Sequence, residues 1–370
     1  MRLAPHNLLV TGGAGFIGAN FVRHWLARPG GGRLIVFDVL TYAGNVDNLA
    51  GIERDPRYLF VRGDICDEDA VRAALEEHRI DTLVHFAAES HVDRSILGPD
   101  DFIRTNVVGT HVLLKAAKAL WIDRETTPAH RFHHVSTDEV YGSLGPEDPP
   151  FHEATPYQPN SPYSASKAGS DHLVRAYHET YGLSTTVTNC SNNYGPYQFP
   201  EKLIPLVIIN ILAGEPLPVY GDGQQIRDWL HVADHCEAIA LALAQGEPGN
   251  VYNVGGQAET ANIDIVRTLC TLVDQRMAAS AELRAAYPAA PAANGGRSVD
   301  LITHVRDRPG HDRRYAINFD KARRELGYAP SRDLASGLAG TLDWYLTNTA
   351  WWQALLGRDY AAWVSKNYRR

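Results

Sequence analysis

The sequence is poor in cysteine and has no long apolar run. Its 370 residues include four cysteines, none of them in a CxxC pair. This spacing predicts neither a zinc site nor a disulfide framework, so we expect no metal and free, mostly buried thiols in a reducing compartment. No apolar stretch approaches the roughly 18 residues of a membrane helix, and the N-terminus does not resemble a signal peptide. We therefore expect a cytoplasmic protein without a membrane partner. The cysteines are Cys66, Cys190, Cys236 and Cys270.

Positive charge is also scarce. The formal net charge is -8 at pH 7, and the charged residues form no runs. An acidic chain gains no general attraction for nucleic acid, so we expect no nucleic-acid partner. A small anionic ligand would need basic side chains or helix N-termini at its own site. Hydrophobic residues make up 44% of the chain, which is enough for a sizeable core.

Short apolar runs alternate with helix-like stretches through the first half of the chain. This alternation is typical of the α/β class and predicts a doubly wound parallel sheet, Rossmann-like, with helices on both faces. The predicted strands are 7–10, 33–37, 58–61, 82–86, 131–135 and 184–188, and the predicted helices are 16–27, 69–77, 107–119 and 163–181.

Proline and glycine become frequent in the second half, and the predicted elements become shorter. We expect residues 1–190 to form the Rossmann-like domain and residues 191–370 to form mainly a smaller substrate-binding region. Part of the second region, about 225–260, should return to the main sheet, with a strand at 251–254. Residues 276–298 are rich in alanine and glycine and have weak periodicity, which predicts a surface excursion.

A glycine-rich turn follows the first predicted strand and opens the first helix. Gly12, Gly15 and Gly18 have GxxGxxG spacing. Glycine permits the tight turn, the close approach of the backbone to a pyrophosphate and the packing of helix on strand. The helix N-terminus, which begins at Phe16 and Ile17, attracts phosphate. The first domain is therefore predicted to bind a dinucleotide.

An aspartate ends the second predicted strand. A carboxylate at Asp38 would bind the adenosine ribose hydroxyls and repel the 2′-phosphate of NADP, so the expected cofactor is NAD. Asp64 and Ile65 follow the third strand, and Ala87 and Ala88 follow the fourth. We expect these residues to flank the adenine and the middle of the cofactor.

Tyr163 and Lys167 are spaced i, i+4 and so share one face of a predicted helix. A phenol has an ordinary pKa of about 10. A nearby ammonium group stabilises the phenolate, which can then act as a base near neutral pH. Lys167 would also hold the nicotinamide ribose. A YxxxK string on a surface helix is the simpler interpretation, and the strand-helix context favours the catalytic one.

Thr137, Asp138 and Glu139 follow the fifth predicted strand, where open α/β sheets place their chemistry. Thr137 stands where a hydroxyl partner for a substrate alcohol is expected. Simple oxidation of an alcohol requires neither carboxylate. Two acids in different environments can serve as acid and base, whereas acids of this kind elsewhere often cap a turn.

Seven segments resemble the dTDP-glucose 4,6-dehydratases, a family of the extended short-chain dehydrogenase/reductase superfamily. The resemblance covers roughly residues 6–330, and His231 departs slightly from the family pattern. The segments are TGGAGFIG (11–18), HFAAESHVDRSI (85–96), TDEVYG (137–142), YSASK (163–167), NCSNNYGPYQFPEKLIP (189–205), GDGQQIRDWLHVADH (221–235) and RPGHDRRYAI (308–317). The first and fourth are shared with epimerases and decarboxylases, whereas TDEVYG, EKLIP and RPGHDRRYAI are far more specific.

The resemblance implies dehydration of dTDP-glucose to a 4-keto-6-deoxy sugar, with NAD regenerated in each turnover. Tyr163 would take the 4-hydroxyl proton while hydride passes from C4 to NAD⁺. Asp138 would protonate the departing C6 hydroxyl, Glu139 would remove the C5 proton, and hydride would return to C6. The resemblance also implies a homodimer formed through the helices at 107–119 and 163–181.

The resemblance extends the candidate site beyond the residues above. Thr105 and Asn192 join the expected cofactor site, with Asn192 at the nicotinamide half. Arg227 and Arg308 would hold the diphosphate, a bidentate task suited to guanidinium. The other residues expected to contact the sugar, diphosphate or nucleotide are Ser90, Thr137, Asn193, Lys202, Leu203, Pro218, Tyr220, Asn262 and His311.

Three alternatives remain open on the sequence. A nucleotide-sugar 4-epimerase shares the fold, the cofactor, Tyr163 and Lys167, but it performs no elimination and does not need Asp138 and Glu139. A 4,6-dehydratase acting on a CDP- or GDP-sugar would have the same chemical residues. A non-catalytic NAD-binding regulator should have lost the tyrosine or the lysine, and both are present.

Overall fold

The computed structural model describes residues 5–124 and 129–357, so residues 1–4, 125–128 and 358–370, the last of them in the predicted substrate-binding region, lie outside the description. The strands are β1 Asn7–Thr11, β2 Arg33–Asp38, β3 Tyr58–Arg62, β4 Thr82–His85, β5 Arg131–Thr137, β6 Thr185–Cys190, β7 Asn192–Tyr194, β8 Leu217–Tyr220, β9 Ile226–His231, β10 Asn250–Val254, β11 Glu259–Ala261 and β12 Ile302–Val305.

The α-helices follow these strands in the order that the apolar pattern indicates. They are α1 Phe16–Leu26, α2 Glu68–Glu77, α3 Val92–Leu97, α4 Asp100–Phe102, α5 Thr110–Trp121, α6 Pro162–Tyr181, α7 Leu203–Ala213, α8 Val232–Gln245, α9 Asn262–Ala279, α10 Ala281–Ala286, α11 Asp320–Leu326, α12 Leu334–Thr347 and α13 Thr349–Leu355. Short 3-10 helices occupy Val46–Leu49, Asp138–Tyr141, Pro291–Asn294 and Ser298–Leu301.

Seven parallel strands form the main sheet, in the order β10-β6-β5-β4-β1-β2-β3. The predicted α/β class and doubly wound sheet are confirmed. The strands are apolar because helices cover both faces. In β1, for example, Leu8 packs beside α1 and α8, and Leu9 packs on the opposite face beside α2 and α5. The chain order reverses between β1 and β4, which leaves a crevice at the carboxyl ends of the strands.

The helix predicted at 107–119 begins differently. Residues Ile103–Gly109 form a π-helix that runs on from α4, and the regular α5 starts only at Thr110. The Asn106 amide in this turn donates to the Glu89 carbonyl at 3.0 Å and to Ser166 at 2.8 Å. These two contacts hold the wide turn against α6 and the loop after β4. Wide turns of this kind often accompany functional sites.

The second region has two small sheets of its own. The first has the order β11-β9-β7, and the second pairs β8 with β12. Within the segment 225–260, β10 is the outermost strand of the main sheet and α8 packs beside α1. Strand β9 pairs with β7 and β11, so this part of the segment does not return to the main sheet.

The segment 276–298, predicted as a surface excursion, lies mostly at the surface but has regular secondary structure. The segment contains the end of α9, the helix α10 and a 3-10 turn, and Met277 and Ala290 are fully buried among residues of α7 and β8. A Cβ added at Gly214 would lie 2.3 Å from the Ala289 carbonyl oxygen, so the segment packs closely on the end of α7. Its periodicity is weak because only one or two apolar residues in each short element face the core.

Within the described ranges 5–124 and 129–357, no helix has the length and apolar character required to cross a membrane. The thiols of the four cysteines are free, and all but Cys66 are buried.

Candidate active site

The carboxyl ends of the main-sheet strands open into a cavity of about 370 Å³. It lies in the crevice where the strand order reverses, the usual ligand position in a doubly wound sheet. Every residue predicted to bind the cofactor lines this cavity. They are Gly12, Gly15, Phe16, Ile17, Gly18, Asp38, Asp64, Ile65, Ala87, Ala88, Thr105, Tyr163, Lys167 and Asn192.

The glycine turn at the start of α1 has no room for side chains. Gly12 has φ +68°, and a Cβ there would lie 2.6 Å from the amide nitrogen of Ala87. A Cβ at Gly18 would lie 2.2 Å from the Gly12 carbonyl oxygen. Gly15 is the N-cap of α1, and no side chain caps the helix. The uncapped N–H groups face the cavity beside bare backbone, an arrangement that fits a pyrophosphate.

Asp38 is held rigidly at the end of β2. Its two carboxylate oxygens accept hydrogen bonds from the backbone N–H groups of Ala14, at 3.0 Å, and Leu40, at 2.8 Å. Burial raises the pKa of this carboxyl, and the two backbone hydrogen bonds oppose the rise. Each oxygen keeps a free lone pair, so the carboxylate can accept ribose hydroxyl groups.

Tyr163 and Lys167 face the cavity from the first two turns of α6. The start of this helix is well defined, because Ser161 and Ser164 form a reciprocal capping box around Pro162. The buried Lys167 ammonium donates to the carbonyl oxygen of Val135 in β5 at 2.8 Å. Helix α6 and strand β5 are therefore joined at the cavity wall.

Thr137, Asp138 and Glu139 line the same cavity at the end of β5. Thr137 is the cap of the 3-10 turn, since its hydroxyl oxygen accepts the N–H of Glu139 at 3.3 Å. The two carboxylates therefore do not cap this turn. Asp138 is almost fully buried, and its Oδ2 has no hydrogen-bond partner. A buried oxygen without a partner beside a cavity is available to a ligand.

The two acids have different electrostatic surroundings. Burial and the neighbouring charge of Glu139 raise the pKa of Asp138 well above its ordinary value. Burial also raises the pKa of Glu139, but the charges of Arg308, Arg227 and Lys202 oppose that rise. Asp138 is therefore the carboxyl that keeps its proton, and Glu139 is the one that ionises more readily.

The pKa of Tyr163 is shifted upward, whereas a base that works near neutral pH needs a lowered pKa. Burial, followed by the negative charge of Glu139, raises the pKa of its phenol well above 10. A phenolate here needs positive charge close by. Lys167 is the cation that the fold provides, and a nicotinamide ring would add a second one.

Four of the residues predicted to bind substrate line the cavity: Ser90, Thr137, Asn193 and Lys202. The other seven, Leu203, Pro218, Tyr220, Arg227, Asn262, Arg308 and His311, lie on β8, β9, the first residues of α7 and α9, and the loop before α11, and are not on the cavity wall.

The two arginines of that second group have protein partners. Arg308 Nη1 binds Asp93 at 2.8 Å, and Asp93 also accepts the Tyr220 hydroxyl at 3.1 Å. Arg227 donates to the Asp312 carbonyl at 2.9 Å, and its guanidinium stacks on the ring of Tyr315. The positive charges of both arginines nevertheless lower the pKa of Glu139, so the arginines lie near the chemical residues without lining the cavity.

The cavity wall includes residues that the sequence did not mark. Arg94, one layer out, binds Glu201 at 2.9 Å and stacks 3.9 Å from the centre of the Tyr42 ring. Glu201 stands in the family-like EKLIP segment and Arg94 in HFAAESHVDRSI, but neither pattern indicated a partner. The unmarked lining residues with polar side chains are Thr41, Tyr42, Glu89, Ser136, Ser191, Gln198 and Glu201.

No group of three or more His, Cys, Asp or Glu side chains in the described part of the chain is arranged to hold a metal ion.

The parallel sheet, the glycine turn and the Tyr-Lys pair define a Rossmann-type enzyme of the short-chain dehydrogenase/reductase class. Residues 9–341 match the family model described as GDP-mannose 4,6 dehydratase. A curated relative named dTDP-glucose 4,6-dehydratase, from Xanthomonas campestris, is 56% identical over 354 residues, which cover 95% of this chain and 96% of the relative.

Solved structures agree with these matches. DesIV, the dTDP-glucose 4,6-dehydratase of Streptomyces venezuelae solved with NAD bound, is 46% identical with a TM-score of 0.82, covering 94% of this chain and 99% of that one. The UDP-glucose 4-epimerase of Thermotoga maritima is 27% identical with a TM-score of 0.78, covering 93% and 99%. The chain belongs to the dTDP-glucose 4,6-dehydratase family.

The position of Asp38 predicts a preference for NAD over NADP. The carboxylate would repel a 2′-phosphate, so we expect NADP to bind the apoenzyme at least ~10-fold more weakly than NAD, about 1.4 kcal/mol. Calorimetric titration of both dinucleotides measures the difference. Asp38→Ser should narrow it, and Asp47→Ser, an exposed acid of the following 3-10 helix, should not. Equal affinities in the wild type would contradict the assignment.

Proposed function

We propose that this protein dehydrates dTDP-glucose to dTDP-4-keto-6-deoxyglucose with NAD as a permanently held cofactor. The observation that carries the proposal is the acid pair Asp138 and Glu139 beside Tyr163 in one cavity. The identity of the nucleotide is supported by the relatives, since the Xanthomonas campestris protein carries the dTDP-glucose name at 56% identity. In this proposal residues 1–190 hold NAD, and residues 191–370 hold mainly the nucleotide-sugar.

NAD, when bound, supplies the oxidation at C4 of the sugar and the later reduction at C6. The backbone of the glycine turn would hold its pyrophosphate, and Asp38 would accept the ribose hydroxyl groups. The cofactor ends each turnover in its starting redox state, so it does not need to leave the site between turnovers.

Tyr163 would accept the proton of the 4-hydroxyl group in the first step. Burial makes the phenolate unfavourable, so the Lys167 charge has to compensate. Lys167 can do so because the Val135 carbonyl fixes its ammonium group at the cavity wall. The Thr137 hydroxyl, at the end of the same strand, would orient the sugar hydroxyl group.

Asp138 and Glu139 would perform the elimination. Removal of the C5 proton needs a base, and Glu139 is the acid whose ionised form three cationic side chains favour. Departure of the C6 hydroxyl needs an acid, and Asp138 is the carboxyl that burial keeps protonated. Its unpartnered Oδ2 is free to donate that proton. General acid-base groups of this kind typically contribute ~10²–10⁴ in rate.

The diphosphate would be bound by Arg227, Arg308 and Lys202. The chain is acidic overall, so an anionic substrate depends on this local cluster. A 4-epimerase activity is less well supported, because reversible oxidation at C4 requires neither Asp138 nor Glu139. The free cysteines are compatible with a reducing compartment, and we infer a cytoplasmic location.

Substitution of the chemical residues should separate the two stages. Tyr163→Phe should suppress the absorbance rise at 340 nm that follows addition of dTDP-glucose. Glu139→Gln should still oxidise C4 but form the 4-keto-6-deoxy product ~10²–10⁴-fold more slowly. Asp138→Asn should impair loss of the C6 hydroxyl, and a 6-fluoro substrate should partly restore the rate.

Two controls make this test specific. Glu153→Gln changes a carboxylate outside the cavity and should leave elimination at the wild-type rate. CDP- and GDP-sugars, offered to the wild type, should give little product. Dehydration at wild-type speed in both acid variants would show that the pair is structural.

A homodimer is part of the proposal. Val112, Leu113 and Val174 of the expected interface helices cover the sheet, but Ile103 and Val108 expose half of their surface. We expect light scattering at micromolar concentration to give twice the 40.8 kDa chain mass. Val108→Arg should shift the mass towards one chain, and Leu59→Arg, an exposed apolar position on the edge strand β3, should not. A monomeric wild type would reject the dimer.

A further inference from the structure

A buried carboxylate lies behind the chemical residues on the same helix. Tyr163, Lys167 and Asp171 follow one another at i, i+4 and i+8, so one face of α6 carries all three. Asp171 is 5% exposed and does not line the cavity. It therefore cannot contact a ligand there, and it can affect the reaction only through the residues that it contacts.

Asp171 is tied to strand β5 and to the segment before α6. Its Oδ2 accepts hydrogen bonds from the Ser136 hydroxyl at 2.9 Å and from the Tyr157 hydroxyl at 3.0 Å. Its Oδ1 lies 3.1 Å from Nε2 of His134. Ser136 and His134 both flank Val135, whose carbonyl accepts the Lys167 ammonium.

The His134 ring lies between the two charges. Its Nε2 is 3.5 Å from Lys167 Nζ as well as 3.1 Å from Asp171, and its Nδ1 has no partner. The contact with Asp171 is not a hydrogen bond, because Asp171 Oδ1, like His134 Nδ1, has no hydrogen-bond partner. Burial and the Lys167 charge lower the pKa of His134 well below its ordinary value. The ring is therefore a neutral spacer.

In the part of the chain that the structure describes, few other charged groups lie close to Lys167 and Asp171. Burial raises the pKa values of Cys190, Tyr141 and Tyr157 and lowers that of His85, so at neutral pH none of them is charged. His172 is exposed on α6. The titratable groups facing Lys167 or Asp171 are His85, His134, Tyr141, Tyr157, His172 and Cys190. Lys167 and Asp171 remain as the buried charges of this group.

From this geometry we propose that Asp171 is a positioning residue that, through its charge and its hydrogen bond to Ser136 of β5, keeps Lys167 charged and aligned for Tyr163. The inference rests on the proposed function. Burial lowers the pKa of Lys167, and the Asp171 charge is the largest opposing cause. Burial raises the pKa of Asp171 itself to about 6, against the effects of Lys167, Ser136 and Tyr157, so the carboxylate is ionised at neutral pH.

Loss of the Asp171 charge should move the pH dependence of the reaction. Without it, Lys167 loses its proton more easily and stabilises the Tyr163 phenolate less. The acid limb of kcat/KM for dTDP-glucose should then shift to higher pH, by about one unit in Asp171→Asn. At a fixed pH on that limb the rate should fall about tenfold. The direct repulsion between the Asp171 carboxylate and the Tyr163 phenolate is a smaller effect than the one through Lys167, because Asp171 lies two helical turns from Tyr163.

Two further variants keep the test decisive. Tyr157→Phe removes one hydrogen bond from the carboxylate, which raises its pKa, and should shift the limb in the same direction by a smaller amount. Asp234→Asn makes the same chemical change at a buried aspartate paired with Arg332 and Ser331, and should leave the limb in place. If Asp171→Asn does not fold, Tyr157→Phe decides.

The pH profiles are measured on holoenzyme with dTDP-glucose. A wild type that turns over, with limbs unmoved in both Asp171→Asn and Tyr157→Phe, would overturn the inference and leave the proposed function intact. A uniform loss of rate at every pH would also overturn it, since that is the result of a purely structural role. A wild type that does not dehydrate dTDP-glucose would reject the proposed function first.

Discussion

The hydrogen bond from the Lys167 ammonium to the Val135 carbonyl joins the two elements that carry the chemistry. Strand β5 ends in Thr137, Asp138 and Glu139, and helix α6 begins with Tyr163. Each set of residues is useful only if the other lies beside it. A buried cation is costly unless its partners are in place, so the same contact that fixes the geometry also makes the arrangement dependent on the carbonyl and on the carboxylate behind it.

The cavity separates its acids by surroundings rather than by residue type. Asp138 is buried, and one of its oxygens has no hydrogen-bond partner. The positive charges of Arg308, Arg227 and Lys202 lower the pKa of Glu139. Since the protein as a whole is acidic, these three cations form a local positive cluster beside Glu139. They would serve the diphosphate and, by their charge, the base. The substrate anion and the ionised Glu139 would then share one source of positive charge.

Features encoded in local sequence were predictable. The apolar runs, the glycine turn after β1 and the i, i+4 spacing of Tyr163 and Lys167 each depend on neighbouring residues, and the structure places the predicted cofactor residues around one cavity. Features that depend on distant contacts were missed. The π-turn at Ile103–Gly109 is held by Asn106 against Ser166, and Met277 is buried by α7 and β8.

The same limit applied within the site. The sequence indicated Arg308 as a diphosphate ligand but not its ion pair with Asp93, which lies 215 positions away in the chain. Asp171 was also missed, although it continues the spacing of Tyr163 and Lys167 by one more turn. Its contacts with His134 and Ser136 of β5 are apparent only in the folded structure. Periodicity marks the helix face, but only the fold identifies what that face meets.

Turnover of dTDP-glucose in deuterated water would show whether the acid pair beside the tyrosine converts an oxidising site into a dehydrating one. Nuclear magnetic resonance of the product reports the outcome at C4, C5 and C6 together. We expect a 4-keto sugar with a methyl group at C6 and deuterium at C5, because Glu139 removes the C5 proton and exchanges it with the solvent. A product inverted at C4, with its C6 hydroxyl retained and no deuterium at C5, would contradict this expectation.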